Sequence, residues 1–103
     1  MPSQVTWPIY LTDRYGHTIY MTEERWRHVK RHDGMSEALP KILSTLRTSK
    51  RRQDEPFSNV FRYEKSFPRL PFGYKSVVVV VKFEHDFFDA AKENNFVLTA
   101  YMN

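Results

Sequence analysis

"YKSVVVVVKF", residues 74–83, decides the fold. β-branched side chains favour extended backbone, and an unbroken apolar run, unlike an alternating one, marks a central strand covered on both faces. Two further β-rich runs flank it, "NVFRYEKS" at 59–66 and "NNFVLTAYMN" at 94–103. The separating stretches "FPRLPFG" and "HDFFDAAKENN" are turn-prone or polar, so the three runs predict an antiparallel meander. Along the first of them Phe61 and Tyr63 share one face, with Arg62 and Glu64 on the other. On the last, strict alternation groups Val97, Thr99 and Tyr101 against Phe96, Leu98 and Ala100, and either set can face the core.

Working back toward the N-terminus, the period changes. "RTSKRRQDEPFS", residues 47–58, has no apolar repeat and reads as an exposed, cation-rich connection. Before it, Leu39, Ile42, Leu43 and Leu46 follow the i, i+3, i+4, i+7 spacing of a core-facing helix stripe. Ser36 is its candidate cap, and Pro40 is tolerable in a first turn whose amides are unbonded anyway. A preceding helix is predicted from Glu23 to Asp33, with Thr22 as N-cap, Glu23 and Glu24 at the positive end of the dipole and Gly34 as the stop. "VTWPIYL" and "HTIYM" are two short extended pieces joined by the turn "DRYG", and Pro8 limits the first to an edge position. The expected architecture is α+β: two N-terminal helices packed on one face of a twisted antiparallel sheet of about four strands.

The chain of 103 residues corresponds to one domain, 1–103. At that length roughly two-thirds of the unfolded surface can be buried, enough for one core. No apolar run is long enough to span a bilayer, and "MPSQVTWPIY" lacks the charged-then-apolar order of a signal peptide. A soluble cytoplasmic protein with no membrane partner is therefore expected. Without cysteine there is no disulfide, no thiolate nucleophile and no Cys-based zinc site.

The net charge is +4, but residues 25–52 hold nine Lys/Arg against two acids, +7, which leaves −3 for the rest. A patch of that sign suits a polyanion, whose counterions are released on binding; it also suits a solvated helix face. Its members Arg25, Arg31, Arg47, Lys50, Arg51 and Arg52, with Arg62 from the meander, are the candidate phosphate contacts. Within "RWRHVKRH", residues 25–32, the helical period puts Arg25, His28 and His32 on one stripe with Arg31 at its edge. Histidines at i, i+4 can ligate zinc, but no Glu lies between them and four cations repel a divalent ion, so no metal is expected. Two exposed histidines do not by themselves require a function.

The order of "ERWRHVKRH", a helix of the form IxxTL, then "RYEKS", "KSVVVVVK" and a closing "VLTAY" resembles a group of small phage- and toxin-associated proteins. These belong to the Barnase, EndoU, colicin and RelE superfamily of metal-independent ribonucleases. The resemblance covers about residues 19–101 and places Arg25, Trp26, His28, His32, Tyr63, Lys75, Thr99 and Tyr101 at the motif positions. The chain departs in Val29, where Ile is usual, and in Asp33, where Pro often follows the second His.

The resemblance implies two helices against a four-stranded antiparallel sheet, RNA bound across the open part of the sheet, and an endoribonuclease without cofactor. Such an enzyme cleaves RNA by attack of the ribose 2′-hydroxyl on the adjacent phosphate. That reaction needs a base, an acid and cations for the developing charge. Imidazole titrates near neutrality, so His28 and His32 are the candidate base and acid, in either order. Lys75 joins Arg25 and Arg31 at the phosphate, Tyr63 stacks on a base or positions the 2′-hydroxyl, and Thr99 and Tyr101 complete the floor. RNA is the expected partner, with a cognate antitoxin or immunity protein as a second. A non-catalytic RNA-binding domain, or a protein-interaction module docking through "HDFFDAA", remain the alternatives.

Overall fold

The computed structural model describes residues 5–56, 58–85 and 93–103, with His85 described by its backbone alone. Its elements are β1 (Ile9–Thr12), β2 (Thr18–Met21), α1 (Glu23–Val29), α2 (Leu39–Thr48), β3 (Arg51–Gln53), β4 (Val60–Ser66), a 3₁₀ turn (Pro71–Gly73), β5 (Ser76–His85) and β6 (Glu93–Met102). Six strands form one sheet in the order β1-β2-β6-β5-β4-β3. Every neighbouring pair is antiparallel except β2 and β6, which run parallel.

This corrects the expected plan of two N-terminal helices on an antiparallel sheet of about four strands. Two strands precede the helices, the sheet has six strands, and it is mixed. Pairing at both margins is the reason. The N-terminal hairpin docks on β6, and the helices together with β3, β4 and β5 supply the long crossover that a parallel pair requires. At the other margin "RRQ", read as part of an exposed connection, pairs with β4 through Arg51↔Tyr63, Arg52↔Arg62 and Gln53↔Phe61.

The predicted meander is present as β4, β5 and β6, and Val77 to Val81 are all buried. Val77, Val79 and Val81 face the helices, in one core with Ile19, Met21, Val29, Ile42 and Leu46. Fully burying such a side chain contributes roughly 1.5–3 kcal/mol. α2 lies across β1, β4 and β5, and α1 packs on β6. Val78 and Val80, on the other face, are covered by flanking side chains and not by a second layer among the described residues.

Two local expectations change. α1 stops at Val29, not Asp33, and Arg31 and His32 continue only as turns bonded to the carbonyls of His28 and Val29. Gly34 follows at φ +78°, where a Cβ would come within 2.7 Å of the Met102 side chain and 2.8 Å of Pro71, so any other residue at this reversal would be strained. α2 starts at Leu39, and its N-cap is Ala38, not Ser36. In β6 the register slips between Val80↔Thr99 and Val81↔Val97, which leaves Leu98 as an extra residue. That bulge re-aims the strand. Val97 joins Ala100 in the core, while Thr99 and Tyr101 share the opposite face with Phe96.

Candidate nucleic-acid interface

The face turned away from the helices is built of two unlike halves. Register places Lys82, Phe96, Tyr20 and Tyr10 in one row across β5, β6, β2 and β1. Their three aromatic rings stand side by side, Tyr10 and Tyr20 at 5.7 Å and Tyr20 and Phe96 at 5.9 Å between centroids. Tyr10 is 64 % exposed, although a ring of that size normally buries much of its surface. Tyr20 is oriented by its hydroxyl, which donates to Asn94 at 2.9 Å.

The other half is basic. Arg52 stands opposite Arg62, and Arg62 opposite Val80 and then Thr99. The Arg62 guanidinium donates to Asp54 and to the Tyr101 hydroxyl, so its fork bridges over β5 and shields Val78 and Val80. The bond to Asp54 raises the Arg62 pKa further above its ordinary value, against the opposing effect of burial. Beside it lies an open groove of about 200 Å³ lined by Lys50, Arg51, Arg52, Arg62 and Glu64. Glu64 Oε2 accepts from Ser76 Oγ at 2.5 Å and Asn103 Nδ2 at 3.2 Å. Those bonds, the one from Ser76 first, lower the Glu64 pKa and keep it an anion.

Two of the predicted site residues, Tyr63 and Arg51, lie on the covered face. Tyr63 is fully buried and donates its hydroxyl to Asp13, whose side chain is itself buried. Burial first, then the bond to Asp13, pushes the Tyr63 phenol well above the ordinary tyrosine range. It therefore cannot touch a bound base without the core opening. Arg51 reaches the same cluster, 3.1 Å from the Tyr63 hydroxyl and 3.4 Å from Asp13 Oδ2. Its guanidinium packs on Tyr15, Phe61 and Phe83 at 4.6, 4.5 and 4.8 Å from the ring centroids. Asp13 also accepts from the backbone amides of Tyr15 and His17, so the turn between β1 and β2 and strand β3 are tied to one carboxylate.

His28 and His32 are both exposed, but the end of α1 at Val29 removes the continuous helical stripe. His32 Nδ1 lies 2.7 Å from the Ala100 carbonyl. Ser76 and Asn103 exchange both backbone bonds, so the alternation of an antiparallel ladder turns the Ala100 carbonyl away from β5 toward the free edge of β6. A carbonyl only accepts, hence Nδ1 carries the proton and Nε2 is the acceptor of the neutral ring. His32 thus sits at the rim of the open face, beside the main chain of Thr99 and Tyr101. Arg25, Arg31, Arg47 and Lys75 are exposed, with no side-chain hydrogen bond among the described residues. Lys75 is bound through its backbone amide to Asn103 O at 2.9 Å.

Of the predicted residues, then, Lys50, Arg52, Arg62, Thr99 and Tyr101 share the open face, His32 stands at its edge, and Tyr63 and Arg51 belong to the opposite side. "HDFFDAA" lies outside the described residues apart from the backbone of His85. Sequence reasoning missed Tyr10, Tyr20, Phe96, Glu64 and Asp13. The period-2 pattern of β1, β2 and β6 carries the first three, once those strands are known to be neighbours. Among the described residues no group of three or more His, Asp or Glu side chains is placed to hold a metal. None of the described helices is long and apolar enough to cross a membrane. Comparison with models of protein families, with curated proteins and with solved structures finds no match to this chain.

Proposed function

We propose that the open face of the sheet binds single-stranded RNA. The observation that carries this is the row of Tyr10, Tyr20 and Phe96 continuing into Lys82, with Arg52 and Arg62 beside it. Unpaired bases stack on exposed rings at about 1–3 kcal/mol each, and adjoining cations neutralise the phosphates between them. A duplex would hide its bases from such rings. The reading stands on these side chains and not on the four-stranded architecture that the family resemblance implied. Anisotropy of a labelled single-stranded RNA octamer, titrated at several salt concentrations, tests it. Affinity should fall steeply with salt, and Tyr20→Ala should weaken binding without changing that slope. Salt-independent binding, or none, overturns the reading.

A second reading, metal-independent endoribonuclease action on the bound strand, is favoured by the His32 bond to Ala100. The fixed tautomer leaves Nε2 as the acceptor nitrogen at the free edge of β6, where the 2′-hydroxyl of a strand crossing that edge can lose its proton to it. His28 is the exposed imidazole nearest in sequence for the leaving 5′-oxygen. In EDTA, cleavage should persist and leave terminal 2′,3′-cyclic phosphates. His32→Ala should reduce it by about 10²–10⁴-fold while RNA affinity changes little. Intact RNA after prolonged incubation would leave a binding domain alone. If the enzyme acts as a toxin, its antitoxin or immunity protein would be acidic where it covers this face.

A further inference from the structure

Glu64 is a carboxylate in a groove otherwise lined by Lys50, Arg51, Arg52 and Arg62. Arg51 turns its guanidinium to Asp13 and Tyr63 on the covered face and Arg62 is paired with Asp54, which leaves Lys50 and Arg52 as the cations without a partner among the described residues. Glu64 forms no ion pair with any of the four among the described residues. Its two hydrogen bonds, from Ser76 and Asn103, both end on Oε2. Oε1 accepts from nothing among the described residues, and the Glu64 side chain is exposed, so Oε1 is a solvent-reachable acceptor on a carboxylate held through Oε2. A site meant for phosphate alone has no use for it, since a carboxylate repels the anion its neighbours attract.

A ligand of this groove must therefore bring an anion and, close to it, a hydrogen-bond donor. In RNA the ribose 2′-hydroxyl is on the carbon next to the one bearing the 3′-phosphate. The donors of a base edge project away from the backbone instead. We propose that Glu64 Oε1 accepts from the 2′-hydroxyl of the nucleotide whose phosphate lies among Lys50, Arg52 and Arg62, which makes the groove selective for RNA over DNA. This rests on the proposed binding of a single strand to the open face. It adds a specificity residue to it, because the 2′-hydroxyl is what separates the two polymers at a given site. Ser76 and Asn103 act through Glu64, as positioning residues that hold its rotamer.

The test is one octamer sequence made in three backbones, RNA, DNA and 2′-O-methyl RNA, titrated by anisotropy, with intact RNA verified on a gel after each titration. The parent should prefer RNA to the other two by about 10-fold, the scale of one hydrogen bond to a charged group. Glu64→Ala should bind all three alike, with DNA bound at least as tightly as by the parent because a repelling charge is gone. Glu64→Gln, which keeps an acceptor of similar shape, should retain part of the preference and guards against a folding defect in the alanine variant. A parent without preference for RNA over DNA, or a preference that survives Glu64→Ala, overturns the assignment while leaving the binding face in place. So does a Glu64-dependent preference that follows base identity instead of the sugar. Failure of all three backbones to bind overturns both.

Discussion

Arg51 and Arg52 are adjacent in β3 and face opposite sides of the sheet. Arg51 is bonded to Asp13 and Tyr63 and packed on three aromatic rings. Arg52 is exposed and makes no side-chain hydrogen bond or ion pair among the described residues. The covered arginine has its charge neutralised from within, as a charge removed from water must. The open one keeps its charge for a ligand. The same contrast separates Tyr63 from Tyr10, and it divides the molecule into a face that holds the fold and a face free to bind.

Substitutions can break that division. The largest effect is expected on the covered face: Asp13→Ala strands the Arg51 guanidinium and two turn amides, and should cost about 3–5 kcal/mol in urea unfolding. RNA affinity, measured where the variant remains folded, should be that of the parent. A large affinity loss in fully folded protein would mean that the two faces are coupled. Tyr63→Phe should cost about 1–3 kcal/mol near neutral pH, because the Asp13 carboxylate loses a buried donor. Its cost depends on pH with a definite sign. Folding raises the phenol pKa, so above about pH 10, where an unfolded tyrosine ionises, the folded state holds the extra proton and parent stability falls as pH rises. Tyr63→Phe lacks that decline, so the gap between the two proteins should stay constant below about pH 9 and narrow as the pH rises above about 10.

On the open face the order of effects reverses. Tyr10→Ala should weaken RNA binding by about 1–3 kcal/mol. Its stability, read by thermal melting, should move by no more than about 0.5 kcal/mol, as is usual for an exposed site. The smallest effect is Arg52→Ala, which should reduce the slope of log affinity against log salt by about 1 with little change in melting. Arg51→Ala, one residue away, should lower the melting temperature. A reversed outcome for this pair would show that β3 is held in the opposite register.

What could be read from the sequence was whatever short-range pattern encodes. The meander, the N-terminal hairpin, the Thr22 cap and the Ile42 and Leu46 stripe depend on residues a few positions apart, and all are present. "RRQ" has no apolar residue and becomes a strand only because β4 offers its edge, so no window around it reveals β3. The bulge at Leu98 is a mismatch between two strands, invisible in either one, yet it decides which face Thr99 and Tyr101 occupy. Asp13 looked like an ordinary turn residue in "DRYG". Its role depends on Arg51 and Tyr63, which the fold brings to it from β3 and β4.

β2 meets β6 through only two residue pairs, Ile19↔Asn95 and Tyr20↔Phe96, supplemented by Asn95 Nδ2 donating to the Thr18 carbonyl at 3.1 Å. That seam runs through the aromatic row, with Tyr20 on one side and Phe96 on the other. With so short a ladder, the hairpin is held to the sheet chiefly by side chains, Ile19 and Met21 in the core and Asp13 bonded to Arg51 and Tyr63. On the proposed binding, a strand of bases lying over both rings would bind the closed hairpin and not an open one, so occupancy would shift any local equilibrium toward closure. Amide protons of β1 and β2 should therefore gain protection from exchange when RNA is added. The N-terminal hairpin would then be a reporter of ligand that needs no label on either partner.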